Sequence, residues 1–84
     1  MKRGIVFTHA AARQMDALAP AVRGLIEAKL DLLAIDPAAL ANQIKRLKGS
    51  SALRLRVADY RVIFTDDGVI LEIIKIGVRG SIYR

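Results

Sequence analysis

Cysteine is absent from the 84-residue chain, which excludes a disulfide framework and thiolate metal ligands. Histidine occurs once, at His9, so a protein-only metal site would need carboxylates for its other ligands. Tryptophan is missing, proline occurs twice, and aromatic residues make up 5% of the chain. Negative charge is in short supply: eight Asp and Glu face fourteen Lys and Arg, leaving +6. No apolar run reaches the ~18 residues of a membrane span. Met1-Lys2-Arg3, followed by Gly4 to Thr8, lacks the apolar core of a signal peptide. Paired carboxylates, a Ser-His-Asp arrangement, a glycine-rich phosphate loop and metal-ligand spacings are also missing. These absences predict a small basic cytoplasmic domain over residues 1–84, with no membrane segment, metal or cofactor.

Apolar residues, by contrast, reach 54%, and mean hydropathy is +0.33. A domain of this length buries only roughly 60–65% of its unfolded surface. Some apolar side chains therefore stay exposed or are covered by another chain, although the many alanines also raise the figure. The charge is uneven. Residues 1–44 hold five basic and four acidic side chains, whereas 45–84 hold nine and four. A basic half of a small domain fits a polyanion, nucleic acid first, and also fits an ordinary solvated surface.

Gly4 to Phe7 is a short β-rich run, and Thr8 is placed to cap a helix over residues 9–18. Pro20 opens a second helix, in which Val22, Leu25, Ile26, Leu30 and Leu33 recur at helical spacing. Asp36-Pro37 closes it, because the residue before proline leaves the α region. Residues 37–50 read as a connector with one helical turn near 39–43, ending in the basic Lys45-Arg46-Leu47-Lys48-Gly49-Ser50. From Ser51 the period becomes two, with Leu53, Leu55 and Val57 on one side and Arg54 and Arg56 on the other. Strands are predicted at 51–57, 60–65 and 69–78, with Asp66-Asp67-Gly68 as a hairpin turn. The order is βααβββ: an α+β fold with a helical hairpin on one face of a small antiparallel sheet. The first strand pairs at an edge or alongside the long last strand.

Arg54, Arg56, Arg61 and Arg79 fall on adjacent strands and can converge on one phosphate, which a guanidinium fork grips in a bidentate way. Cross-strand solvated charge, paired with Asp59 or Glu72, is the plainer reading. Tyr83 can stack on a base or donate its hydroxyl, or pack as a rim aromatic. Tyr60 alternates with Val62 and Phe64 and belongs to the core, while His9 is a surface or capping histidine.

Three segments resemble a known family. The runs Ile44-Lys45-Arg46-Leu47-Lys48-Gly49-Ser50 and Leu53 to Phe64, with Asp59-Tyr60-Arg61-Val62 at their centre, are similar to the basic-strand segment of RelE/ParE-superfamily toxins. The ending Ile76-Gly77-Val78-Arg79-Gly80-Ser81-Ile82-Tyr83-Arg84 resembles theirs too, and the helical hairpin fits, so the resemblance covers essentially the whole chain. It implies a toxin of a bacterial toxin–antitoxin pair. RelE-type members cut mRNA in the ribosomal A site without metal or cofactor, the 2′-hydroxyl attacking the adjacent phosphodiester. By position, Arg61 then holds the scissile phosphate, Arg79 stabilises developing charge, and Tyr83 stacks on or orients the nucleotide. Arg54 stands where a catalytic lysine or arginine is common. Lys45, Arg46, Lys48, Arg56, Lys75 and Arg84 are the expected RNA-binding residues.

The chain departs from the pattern at Val78, where many members carry a histidine, and at Gly80 and Ser81, where Arg-Glu is usual. An arginine, with a pKa above ~12, is a poor base, which leaves Tyr83 as the obvious proton donor. ParE-type relatives instead inhibit DNA gyrase by binding, and a weakened member only binds its antitoxin. The terminal Ile82-Tyr83-Arg84 speaks for the RelE branch and the missing histidine for the others. The implied partners are a RelB-like antitoxin, the ribosome and mRNA, with a monomeric free toxin and a hetero-oligomeric complex.

Overall fold

The computed structural model describes residues 2–80. The chain runs β1 (Gly4–Phe7), α1 (His9–Asp16), α2 (Pro20–Ile35), a 3₁₀ segment (Pro37–Gln43), β2 (Ile44–Arg46), β3 (Leu53–Val57), β4 (Tyr60–Asp66) and β5 (Ile70–Val78). Local chemistry fixes the helix ends. Thr8, in extended geometry, accepts the Ala11 N–H on Oγ1 at 3.1 Å and so caps α1. Pro20 occupies the first turn of α2, and Asp36, at φ −148° and ψ 83°, ends it ahead of Pro37.

The five strands form one sheet in the order β1-β5-β4-β3-β2. Strands β2 to β5 make an antiparallel meander, and β1 lies parallel to β5 at the edge, with Gly4 opposite Ile70 and Phe7 opposite Ile73. The α+β architecture and the helical hairpin are as the sequence predicts. Two details differ. The sheet is mixed rather than antiparallel, because β1 enters it through a long crossover, which a parallel pair requires. The expected loop at 44–46 is β2, three residues being too few to display a period of two; its partner Leu55 lies opposite Ile44.

Both helices cover the same sheet face. Ile26, Leu30 and Leu33 from α2 meet Leu55, Val62 and Phe64 from the sheet, all nearly inaccessible to solvent. Burying each such side chain stabilises the fold by about 1.5–3 kcal/mol. A bulge interrupts β5: Ile63 pairs with Lys75 and Phe64 with Ile73, so Ile74 is an extra residue. Ile74 therefore joins Ile63, Ala52 and Leu47 in a second, small apolar cluster on the face away from the helices.

Because β1 stops at Phe7, α1 satisfies the edge of β5 beyond it. The Thr8 Oγ1 hydroxyl donates to the Ile74 carbonyl at 2.9 Å, and the Gln14 side-chain oxygen accepts the Ile76 N–H at 2.7 Å. The β4–β5 turn is tied by carboxylates. Asp66 accepts from Gly68 N–H and from Arg3 Nε, each at 2.8 Å, and Asp67 accepts from the N–H groups of Val69 and Ile70. Those backbone donors, Ile70 first, hold the Asp67 carboxyl below its ordinary pKa. Gly68, at φ 91°, supplies the left-handed residue that the turn needs.

Candidate functional site

Strand register assembles the basic side chains on the sheet face away from the helices. Leu55, Val57, Val62 and Phe64 point to the core, so Arg54, Arg56, Arg61 and Ile63 point the other way. Lys45, Arg54, Ile63 and Lys75 line up as one row across β2, β3, β4 and β5. A second row, one pleat along, holds Arg56, Arg61 and Gly77. Two of the direct cross-strand pairs, Lys45 with Arg54 and Arg56 with Arg61, thus set like charges opposite each other. Such pairs weaken a sheet by up to roughly 1 kcal/mol each. A local conflict of this kind is characteristic of a functional surface, where a bound anion relieves it.

Arg61 is the best-defined member. It is only 8% exposed, and its Nη1 donates to the carbonyl oxygens of Ala58 and Tyr60 at 3.0 and 2.8 Å. Both acceptors are neutral, so the guanidinium is oriented without being neutralised. Ala58, at φ 53°, makes the left-handed turn that brings its carbonyl within reach. Gly77, directly across β5 from Arg61, places no side chain in front of it. Arg79 follows the end of β5, is exposed, and is held by its backbone N–H, which donates to the Asp59 carbonyl at 2.7 Å. The same two-residue turn therefore anchors Arg61 by its side chain and Arg79 by its backbone.

Arg56 and Lys45 are exposed, whereas Arg54 and Lys75 are half-buried beside the small cluster of Ala52, Ile63, Leu47 and Ile74. This apolar floor escaped sequence reasoning, because Ile74 reaches that face only through the bulge. Its one sequence signal is Ile63, an apolar residue at a position of β4 whose neighbours on that face are polar. Not all the expected RNA-binding residues converge. Arg46 lies opposite Leu53, on the side of the sheet away from Lys45, and Lys48 sits exposed in the β2–β3 turn. Tyr83 and Arg84 lie outside the described residues. Tyr60 packs against the main core, Val78 pairs with Tyr60 and is 49% exposed, and His9 is exposed on α1.

Chemically, the face offers guanidinium and ammonium groups, which bind and stabilise negative charge but do not accept protons at neutral pH. Among the described residues no three His, Cys, Asp or Glu side chains come together as a metal site. Among the same described residues, no helix is long and apolar enough to cross a membrane.

A sheet with one face under a helical hairpin and the other lined with basic side chains defines a class of small α+β proteins with a cationic sheet face. The family model for the ParE toxin of type II toxin–antitoxin systems matches residues 5–83. The chain belongs to that family, within the RelE/ParE superfamily of toxins. No match is found among curated proteins. Among solved structures it resembles the RelE–RelB complex of Pyrococcus horikoshii OT3, at 22% identity and TM-score 0.78, covering 96% of this chain and 99% of that one. The intact Escherichia coli RelBE toxin–antitoxin complex matches at 25% identity and TM-score 0.72, covering 90% and 95%. YafQ of Escherichia coli BL21(DE3) matches at 14% identity and TM-score 0.78, covering 95% and 97%.

Proposed function

We propose that this toxin is a metal-independent, ribosome-dependent mRNA endoribonuclease that arrests translation in the cytoplasm. The observation that carries the reading is the register that sets Arg56 opposite Arg61 and lines up Lys45, Arg54 and Lys75 in the adjacent row, around a partly buried apolar floor. Charges so placed favour a phosphodiester, and the apolar floor suits an unstacked base. In the proposed step a ribose 2′-oxygen forms a bond to the adjacent phosphorus, and the bond to the 5′-oxygen breaks. The products are a 2′,3′-cyclic phosphate and a 5′-hydroxyl. Arg54, Arg61 and Arg79 stabilise the charge of the pentavalent phosphorane, worth several kcal/mol where donors are preorganised. Tyr83 protonates the leaving 5′-oxygen, and the 2′-hydroxyl proton passes to the RNA or the ribosome.

Lys45, Arg56 and Lys75 hold the flanking backbone. A cognate antitoxin, of the RelB kind found with the structural neighbours, neutralises this face with acidic residues. Ribosome complexes programmed with a defined A-site codon test the proposal: the chain cuts the message, and Arg61→Ala with Arg79→Ala abolishes cutting. Undiminished cutting by the double variant refutes the site.

A second reading, gyrase inhibition by binding, draws on two observations. The matching family model is the ParE one, and Val78 stands where the resemblance expects a histidine. Inducing the chain in cells separates the readings. Immediate loss of amino-acid incorporation supports the nuclease, whereas DNA damage and filamentation with translation intact supports gyrase inhibition.

A further inference from the structure

The outward positions of the sheet change character along the strands. On β4 they run Arg61, Ile63, Thr65, because Val62 and Phe64 take the core side. On β5 they run Gly77, the bulged Ile74–Lys75 pair, then Glu72 and Ile70, because Leu71, Ile73 and Ile76 are core. Strand β1 adds Val6, which lies opposite Glu72. The cationic rows therefore pass, over the apolar cluster of Ile63 and Ile74, into a third row of Val6, Glu72 and Thr65. Arg61 and Thr65 stand about 13 Å apart along β4, with Ile63 midway. A nucleotide fits such an order, with its phosphate at the cationic end, its base over the apolar floor and the base edge beyond.

The third row opens into a groove of about 340 Å³, lined by Val6, Thr65, Asp67, Ile70 and Glu72. Val6 and Ile70, 49% and 41% exposed, give it apolar walls. Of its two carboxylates, Asp67 is taken up by the N–H groups of Val69 and Ile70. Glu72 is exposed, and its carboxylate has no hydrogen bond or ion pair with another described residue. A phosphate is repelled here, whereas the edge of a base is not. A carboxylate has acceptors only, so that edge must offer N–H donors. Guanine presents two adjacent ones, N1–H and N2–H, which a carboxylate accepts in bidentate fashion. Adenine and cytosine set a ring-nitrogen acceptor beside their amino group, and uracil has one N–H between two carbonyls. Each of those arrangements places lone pairs against the carboxylate.

We infer that this groove is a nucleobase subsite in which Glu72 reads guanine, the base lying over Ile63 and Ile74 and its phosphate meeting the arginines. The subsite rests on the proposal that RNA is what the basic face holds, and it names the base that the face prefers. Base preference is a property of binding, so it stands apart from whether the bound strand is then cut.

The test uses the full chain and short 2′-O-methyl oligouridines, which cannot undergo 2′-attack, each carrying one central guanosine, inosine, adenosine or cytidine. By fluorescence anisotropy the guanosine oligomer binds roughly tenfold more tightly than the adenosine, cytidine and all-uridine ones. Inosine, which lacks the N2 amino group, falls between. Glu72→Ala brings the ratio to about one without weakening the uridine oligomer, since it removes a negative charge from the face. Glu72→Gln, of the same shape with one acceptor fewer, lowers the ratio too. Asp67→Asn, which neutralises the neighbouring carboxylate, leaves the ratio standing and so separates base reading from general charge. Guanosine preference that depends on Glu72 supports the subsite even in a chain that cuts no message on the ribosome. Equal affinity for guanosine and adenosine, or a preference that survives Glu72→Ala, overturns it even where messages are cut normally. So does loss of antitoxin binding in Glu72→Ala with base preference intact, which assigns the carboxylate to a protein partner.

Discussion

Arg61 and Arg79 carry the same charge beside the same turn, yet they are built into the fold differently. Arg61 is buried and donates to two backbone carbonyls, whereas the Arg79 side chain is exposed and only its backbone is held. Arg61→Ala leaves carbonyls short of donors and lowers stability by about 1–3 kcal/mol, read from the urea midpoint at constant slope. Arg79→Ala changes stability by less than about 0.5 kcal/mol, although both substitutions abolish growth arrest. Asp67 gives a pH-dependent counterpart. Its carboxyl titrates below the unfolded value of about 3.9, so its contribution is present above that pH. The contribution is lost as pH falls through the lower folded pKa. In acid titrations of unfolding, Asp67→Asn removes this part of the destabilisation below about pH 4; an unchanged acid limb would show that the turn does not depend on the carboxylate.

β5 joins the two halves of the design. Its length and near-continuous apolar character made its central place legible, but the bulge at Ile74 was not, since one extra residue changes no composition or period. The bulge puts Ile74 under the basic face and Lys75 in line with Ile63, and α1 closes the edge through Thr8 and Gln14. Gln14→Ala leaves the Ile76 N–H without its acceptor and costs about 1–3 kcal/mol. Gln14→Glu, which keeps an acceptor oxygen, retains most of that stability in the same denaturation assay. The β2 strand was hidden for the opposite reason: its three residues acquire strand character only by pairing with β3. Arg46 is consequently separated from Lys45, which no charge count could reveal.

Across the molecule, charge and apolar surface are sorted by layer. The sheet's outer face and the turn after β5 gather Lys45, Arg54, Arg56, Arg61, Lys75 and Arg79, while the helical layer exposes Leu25, Leu32 and Ile35 on α2. Six phosphate contacts on a single strand give log affinity a slope of about −4.2 against log salt. Anisotropy titrations of single-stranded RNA at several salt concentrations check this, and Lys45→Ala reduces the slope by about 0.7. A slope unchanged by Lys45→Ala removes that residue from the interface. The excess hydrophobicity divides the same way, part of it packed between the layers and part exposed on α2.

Elements, fold class and the candidate arginines follow from periodicity, capping residues and charge sign, because these are local properties of the chain. Thr8, Pro20, Asp36-Pro37 and the alternation from Leu53 to Val57 each act within a few residues of themselves. Which charges share a row, that Arg61 is pinned to its own turn, and that β1 runs parallel to β5 depend on strand register and on the bulge. Those are set by which apolar residues fit together across the sheet and under the helices. Packing between distant segments, not local preference, gathers a basic half-sequence onto one sheet face as a candidate site.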